Sequence, residues 1–225
     1  MSRLSLQTAI TVKSFLLVYL LGSVVVSHLD SGVGSLKTKC IDEERRALLK
    51  FKDNLKSYNN DTLSSWGYEE EKKDCCSWDG IGCDNISGHV IMLNLSHLQL
   101  STGGKSLNPP LTELHYLVYL DLSGIDLSGN NISTLIGNNM FSLQHLDLSS
   151  TQLEGSIPET FGNNMTSVSY LDLSFGYLTG PIPNSLGNMT LLTHLSLSYN
   201  DFTGSIPESF ANLETLHTSI LAGTS

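Results

Sequence analysis

Three stretches of the chain decide its fold: His145-Leu-Asp-Leu-Ser-Ser-Thr-Gln-Leu-Glu-Gly-Ser-Ile-Pro158, Tyr170-Leu-Asp-Leu-Ser-Phe-Gly-Tyr-Leu-Thr-Gly-Pro-Ile-Pro183 and His194-Leu-Ser-Leu-Ser-Tyr-Asn-Asp-Phe-Thr-Gly-Ser-Ile-Pro207. Each carries Leu-x-Leu-Ser, an apolar residue five positions after the second Leu, Gly two further on, and a closing Ile-Pro. Upstream, the unit recurs as Leu93-Asn-Leu95 and Leu120-Asp-Leu122, so successive units lie 27, 26, 25 and 24 residues apart. Leu-x-Leu alternates with period two and reads as a short strand with both leucines on one side. Gly permits the positive backbone angle of a turn, and Pro ends regular pairing. One unit cannot bury its leucines alone. Stacked units share one apolar column, with parallel strands and one coil per unit.

The flanks show how such a stack begins. Arg3 and Lys13 precede the apolar run Phe15–Val26, and Ser27 offers a cleavage point. That run suits an export signal and falls short of the ~20 residues a spanning helix needs. An exported chain holds its cysteines oxidised, and Cys40, Cys75, Cys76 and Cys83 therefore predict two disulfides. A bond between neighbours Cys75 and Cys76 would close a strained ring, which leaves 40–75 with 76–83, or 40–76 with 75–83. No C-x2-C pair is present, which argues against zinc. Leu48, Phe51 and Leu55 recur at helical spacing, with Glu43, Glu44, Arg45, Lys52 and Lys56 expected toward solvent. Trp66 and Trp78 would fill the gap between this helix and the first unit.

Charge excludes some partners. All twelve Lys and Arg lie between Arg3 and Lys105, where twelve acids balance them; Ser106–Ser225 has ten acids and no cation, and so carries the whole net charge of −10. Such a surface cannot grip phosphates, so nucleic acid and anionic membrane are poor partners.

The repeats resemble the plant-type leucine-rich repeat LxxLxxLxLSxNxLxGxIP. Cys40–Leu55, Leu63-Ser-Ser-Trp66 and Asp74-Cys-Cys-Ser-Trp-Asp-Gly-Ile-Gly-Cys83 resemble its plant N-terminal cap. With Ser87-Gly-His-Val90 and Gly104-Lys105 before Asn108-Pro109, the resemblance is to the plant cell-surface receptor-like proteins of the xylanase-elicitor receptor type. It implies an α/β fold, a right-handed leucine-rich-repeat solenoid with a parallel β-sheet on its concave face, behind a helical, disulfide-bonded cap. It also implies the pairing Cys40–Cys75 with Cys76–Cys83. The expected organisation is a signal peptide at 1–27, a spacer at 28–39, the cap at 40–88 and five repeats at 89–215. Strands are expected near 92–96, 119–123, 145–149, 170–174 and 194–198. Residues 216–225 would be an incomplete sixth repeat with Ser219 in a leucine position, and the expectation is a truncated product.

Departures from the pattern are specific. The turn-forming Asn is replaced by Leu98, Ile125, Thr151 and Gly176, and survives only as Asn200, which puts an interior Asn ladder in doubt. Ile125-Asp-Leu-Ser-Gly-Asn130 also fits the motif five residues out of step, with spacings of 32 and 21; the Leu120 register is preferred.

On strands whose leucines point inward, the alternating residues point outward. One exposed column would carry Met92, Tyr119, His145, Tyr170 and His194; the next Asn94, Asp121, Asp147, Asp172 and Ser196; the third His97, Gly124, Ser150, Phe175 and Tyr199. Aromatic and His side chains on a rigid sheet are good contact material. The expected partner-binding set is Tyr119, Asp121, His145, Asp147, Tyr170, Asp172, Phe175, His194 and Tyr199. Stacked carboxylates about 5 Å apart could suggest a retaining glycosidase. A smooth sheet, however, is expected to provide no cleft and no desolvation to raise one pKa, so no catalysis is expected. His145 and His194 lie two rungs apart, roughly 10 Å, too far to share a metal. Thr102-Gly-Gly-Lys-Ser106 imitates a phosphate loop, but Gln99 occupies its first glycine position. No cofactor is expected.

Six sequons, at Asn60, Asn85, Asn94, Asn131, Asn164 and Asn188, are candidate glycosylation sites. The functional expectation is an extracellular ectodomain, secreted or at the cell surface, that binds a protein, peptide or glycan. The resemblance implies signalling through a partner kinase, and membrane attachment if the intact product continues into a spanning helix. The alternatives are a secreted inhibitor of cell-wall hydrolases resembling the polygalacturonase inhibitors, and a non-functional fragment.

Overall fold

The computed structural model describes residues 39–57, 62–96, 98–107, 111–136 and 140–220, with side chains through 217. The signal-peptide and spacer readings through residue 38, His97, Asn108-Pro109, the sequon at Asn60 and residues 221–225 lie outside the described residues.

The elements follow the repeat. Helix α1 (Asp42–Asp53) opens the described chain, followed by β1 (Lys56–Ser57), β2 (Ile81–Cys83), β3 (Val90–Asn94) and β4 (Leu100–Ser101). Then come β5 (Tyr119–Asp121), β6 (His145–Asp147), β7 (Glu154–Gly155), β8 (Tyr170–Asp172), β9 (Tyr177–Pro181), β10 (His194–Ser196), β11 (Asp201–Thr203) and β12 (Thr218–Ile220). Strands β3, β5, β6, β8, β10 and β12 run parallel, side by side in that order, and β2 from the cap closes the first edge antiparallel to β3. Leu93, Leu120, Leu146, Leu171 and Leu195 sit opposite one another across the ladder. A second, three-stranded parallel sheet (β7, β9, β11) is built from the x-Leu/Phe-x-Gly segments behind the first.

The three apolar residues of every unit, from Leu93, Leu95 and Leu100 to Leu195, Leu197 and Phe202, are no more than 3% exposed. They form one continuous column with the cap residues Leu48, Phe51, Trp66 and Trp78. This is a leucine-rich-repeat solenoid. The sixth unit also adds its strand in register, with Ser219 opposite Leu195.

The out-of-step motif at Ile125 does not compete for the main sheet. Leu120 pairs with Leu93 and Leu146, while Asp126 bridges to Ser101 one layer behind. Asn130, at its end, is buried; its Nδ2 donates to Lys105 O, Leu127 O and Ser128 O, and its Oδ1 accepts from Leu107 N. The turn problem at the substituted Asn positions has local solutions. Thr151 Oγ1 donates to Leu148 O at 2.6 Å. Asn200 serves two repeats: Nδ2 donates to Leu173 O of the preceding coil (2.8 Å) and to Leu197 O and Ser198 O of its own, while Oδ1 accepts from Leu178 N. Gly176 makes room for it, because a Cβ there would meet Asn200 Oδ1 at 2.8 Å.

The cap corrects three sequence expectations. Glu44 is buried, and its carboxylate accepts from Val90 N (2.7 Å) and contacts His89 Nδ1 (3.0 Å). It thereby satisfies the N–H at the start of the first repeat strand, a donor that would otherwise be orphaned under the cap. Lys52 also turns inward, capping Leu63 O and Trp66 O with its ammonium. Leu55 falls beyond the end of α1 and is half-buried. Trp66 and Trp78 stack with centroids 5.1 Å apart, and each indole N–H donates to a carbonyl, of Asp79 and Lys72 respectively. Cys40 is bonded to Cys75 and Cys76 to Cys83. Among the described residues no helix is long and apolar enough to cross a membrane.

Candidate functional site: the outward face of the main sheet

Because the strands are in register, side chains about 25 positions apart in sequence stand on neighbouring rungs, about 4.8 Å apart. Tyr119, His145, Tyr170 and His194 form one uninterrupted ring stack. Successive centroids are 4.1, 4.3 and 4.3 Å apart, with interplanar angles of 6°, 13° and 6°. Met92 continues the column at the cap end. Each ring is half-buried by its neighbours. Stacking supplies dispersion and rigidity, since a ring held on both faces has little rotamer freedom left to lose on binding.

The next column holds Asn94, Asp121, Asp147 and Asp172, each opposite the next, ending at Ser196. The Ser that follows each Leu-x-Leu has a function the sequence reading missed. Ser96, Ser123, Ser149 and Ser174 donate their N–H to Oδ1 of the Asn or Asp two residues earlier, at 2.8–3.1 Å. The hydroxyls of Ser96, Ser149 and Ser174 add a second bond to the same oxygen. Each Asp is thus clamped by one oxygen in an Asx-type turn.

The expectation of a face without desolvation is corrected. Asp121 is only 8% exposed. Burial pushes the Asp147 carboxyl above the usual carboxylate range, with the charges of Asp172 and Asp121 adding to it against the Ser149 bonds. Burial likewise lowers the His145 pKa, and raises that of Tyr170 to about 12. Neighbouring rungs and stacked rings remove water from groups that would be fully wet on an isolated strand.

His145 and His194 do not meet, but His145 does approach two carboxylates: one ligand atom each from Asp121, His145 and Asp147 lie within 4.8 Å of one another. These are the described side chains outside the disulfides whose donors could converge on a divalent ion. His194 Nε2 is buried without a hydrogen bond, 3.9 Å from Asp172 Oδ2.

The third column has an unusual backbone. Gly124, Ser150, Phe175 and Tyr199 all have positive φ, at 76°, 57°, 57° and 54°. The N–H groups of Gly124, Ser150 and Phe175 bond to carbonyls of the next rung, which fixes that geometry. For a bulky side chain the left-handed region costs roughly 1–2 kcal/mol. Phe175 and Tyr199 nevertheless stack at 4.3 Å while 53% and 58% exposed.

The sequons fall around this face. Asn94 is half-buried on β3, with its Oδ1 held by Ser96. Asn85 is exposed in a turn, and Asn131 is exposed with its Oδ1 accepting from Thr134 N at the start of a short helix (Ile132–Ile136). The segment bearing Asn164 packs on that bearing Asn188, and Asn188 Nδ2 donates to Asn163 Oδ1.

Comparison with known proteins agrees with this geometry. Residues 41–84 match the leucine rich repeat N-terminal domain family, and residues 141–202 the leucine rich repeat family. The chain belongs to the capped plant leucine-rich-repeat proteins. It is similar to receptor-like proteins: it is 41% identical over 140 residues to "Receptor-like protein EIX1" and 43% over 136 to "Receptor-like protein EIX2", both of Solanum lycopersicum. These alignments take in 58% and 56% of this chain but 13% and 12% of the relatives, so the chain spans about an eighth of their length. Among solved structures, the PEPR1–AtPEP1 complex aligns with a TM-score of 0.71 and 31% identity, over 80% of this chain and 24% of that one. The Arabidopsis receptor kinase HAESA, solved with the peptide hormone IDA and the co-receptor SERK1, aligns at 0.63 and 28%, over 81% and 34%.

Proposed function

We propose that the chain is an extracellular, non-catalytic, ligand-binding part of a plant receptor-like protein, and that it binds its ligand on the outward face of the main sheet. The observation that carries this is the pair of exposed rings at positive φ. Phe175 and Tyr199 fill positions where Gly would cost the fold less, and they stand beside a rigid four-ring stack. Fold stability does not ask for them; contact with a partner does. The structural relatives solved with peptides and with a co-receptor support a peptide or protein ligand and a signalling kinase as the partner class. The acids on this face lie on an open sheet with each Oδ1 tied by Ser, an arrangement suited to binding rather than to acid–base turnover.

The test uses the secreted chain, immobilised and exposed to plant extracellular peptide fractions. Beside it run a variant with Tyr119, His145, Tyr170 and His194 changed to Ser, and a control carrying Glu159→Ser and Glu208→Ser on the return segments. Retention by the wild type and control, with loss in the face variant, is expected. Equal retention by all three would sink the proposal, and inhibition of a cell-wall hydrolase by the wild type would redirect it to the inhibitor class.

A further inference from the structure

We propose that this face takes an extended cationic peptide segment, with Lys or Arg side chains over the Asp121, Asp147 and Asp172 column and an intervening apolar side chain against the rings. This rests on the ligand face argued above and adds the chemistry of the ligand.

Charge complementarity is the first ground. Between Ser106 and Ser225 there is no Lys or Arg, so no basic side chain of those repeats is available to neutralise the column. Oδ1 of each Asp is engaged with Ser, whereas Oδ2 makes only long contacts: Tyr119 OH at 3.4 Å from Asp121, and His194 Nε2 at 3.9 Å from Asp172. Burial disfavours the charged form of His145, which therefore adds no compensating charge at neutral pH. A row of like charges in which Asp147 and Asp172 are half-buried and Asp121 is buried gains more from a cation than exposed carboxylates would, because water screens it less.

Spacing is the second ground. Asp121 to Asp172 spans two rungs, about 9.6 Å, while same-side residues of an extended peptide repeat about every 6.7 Å. Two cations at i and i+2 therefore sit between the three carboxylates, one in each gap. A guanidinium can bridge two carboxylates at once, so Arg should outperform Lys. The residues between and beside the cations point to the opposite side and would lie along the stack from Tyr119 to His194, which selects apolar or aromatic ones.

The experiment is fluorescence anisotropy of the full secreted chain with a labelled peptide Gly-Ser-Tyr-Arg-Leu-Arg-Tyr-Ser-Gly, and with its two Arg replaced by Gln or by Glu. The expected result is binding of the Arg probe at least about tenfold tighter than the Gln probe, weakening with salt, and no binding of the Glu probe. The triple variant Asp121→Asn, Asp147→Asn, Asp172→Asn keeps the Oδ1 acceptors for Ser and so should fold, as circular dichroism would check; it should erase the Arg preference. Equal affinity for the three probes, with loss only in the ring-to-Ser variant, overturns the cationic ligand and leaves the binding face standing. Failure of the Arg probe to bind overturns the inference outright. Saturable binding of Zn2+ alone, abolished by His145→Ala and without Arg preference, would reassign the column to a metal.

Discussion

Asn200 is the residue whose removal the stacked coils should feel most specifically. In Asn200→Ala two backbone groups of the preceding coil lose their partner: Leu178 N, 3.0 Å from Oδ1, and Leu173 O, 2.8 Å from Nδ2. Leu197 O and Ser198 O lose weaker bonds, because the two amide protons are shared among three carbonyls. The side chain is 4% exposed, so water does not replace it without opening the turn. A buried group left unpaired costs about 1–3 kcal/mol, so the two together should lower stability by about 3 kcal/mol. Asn200→Asp should cost at least as much, since it keeps the acceptor for Leu178 N but sets a carboxylate against carbonyls. Urea unfolding followed by circular dichroism measures the loss, and hydrogen exchange should show Leu178 N–H losing protection across the coil boundary. A loss under about 1 kcal/mol, with Leu178 still protected, would refute the claim that one side chain serves two repeats.

Three further outcomes follow from the same geometry. Glu44→Ala should destabilise by about 2 kcal/mol by orphaning Val90 N beneath the cap, and a change within a few tenths would contradict its buried role. Burial lowers the His145 pKa, so protonation favours the unfolded chain. Stability from this group is intact above about pH 6.5 and declines as pH falls from there through the folded value; NMR should place the His145 midpoint below 6.5, and Asp147→Asn should lower it further by removing the largest charge that favours protonation. Phe175→Gly should leave stability unchanged or raise it by about 1 kcal/mol, as relief at φ 57° offsets the lost ring stack, while weakening ligand binding; a loss above about 1 kcal/mol would show the ring to be structural.

The repeat was legible because its signal is periodic. Leu93, Leu120, Leu146, Leu171 and Leu195 are found by eye, and a side-chain period of two then places Tyr119, His145, Tyr170 and His194 in one column. The interior and the outer columns followed from that single register. What escaped was polar and local. Glu44 lies four residues before Leu48 and seven before Phe51, on the helix's apolar face, so its spacing carried the signal that its charge obscured. The Asp-Leu-Ser triplet was visible as recurrence, but the bond from Ser back to Asp is a matter of turn geometry. Desolvation of Asp147 could not be read from one strand, because neighbours 26 residues before and 25 after supply it. Asn130 was seen as part of a rival register; in the structure the same residues act one layer behind the main sheet.

The claim beneath all of this is that residues one repeat apart lie ring on ring across adjacent strands. Two-dimensional NOE spectroscopy of the folded chain tests it directly. With centroids 4.1–4.3 Å apart, ring protons of Tyr119 should show cross-peaks to His145, His145 to Tyr170, and Tyr170 to His194. Absence of those three connectivities in a folded sample would contradict the register, and with it the face on which the ligand is placed.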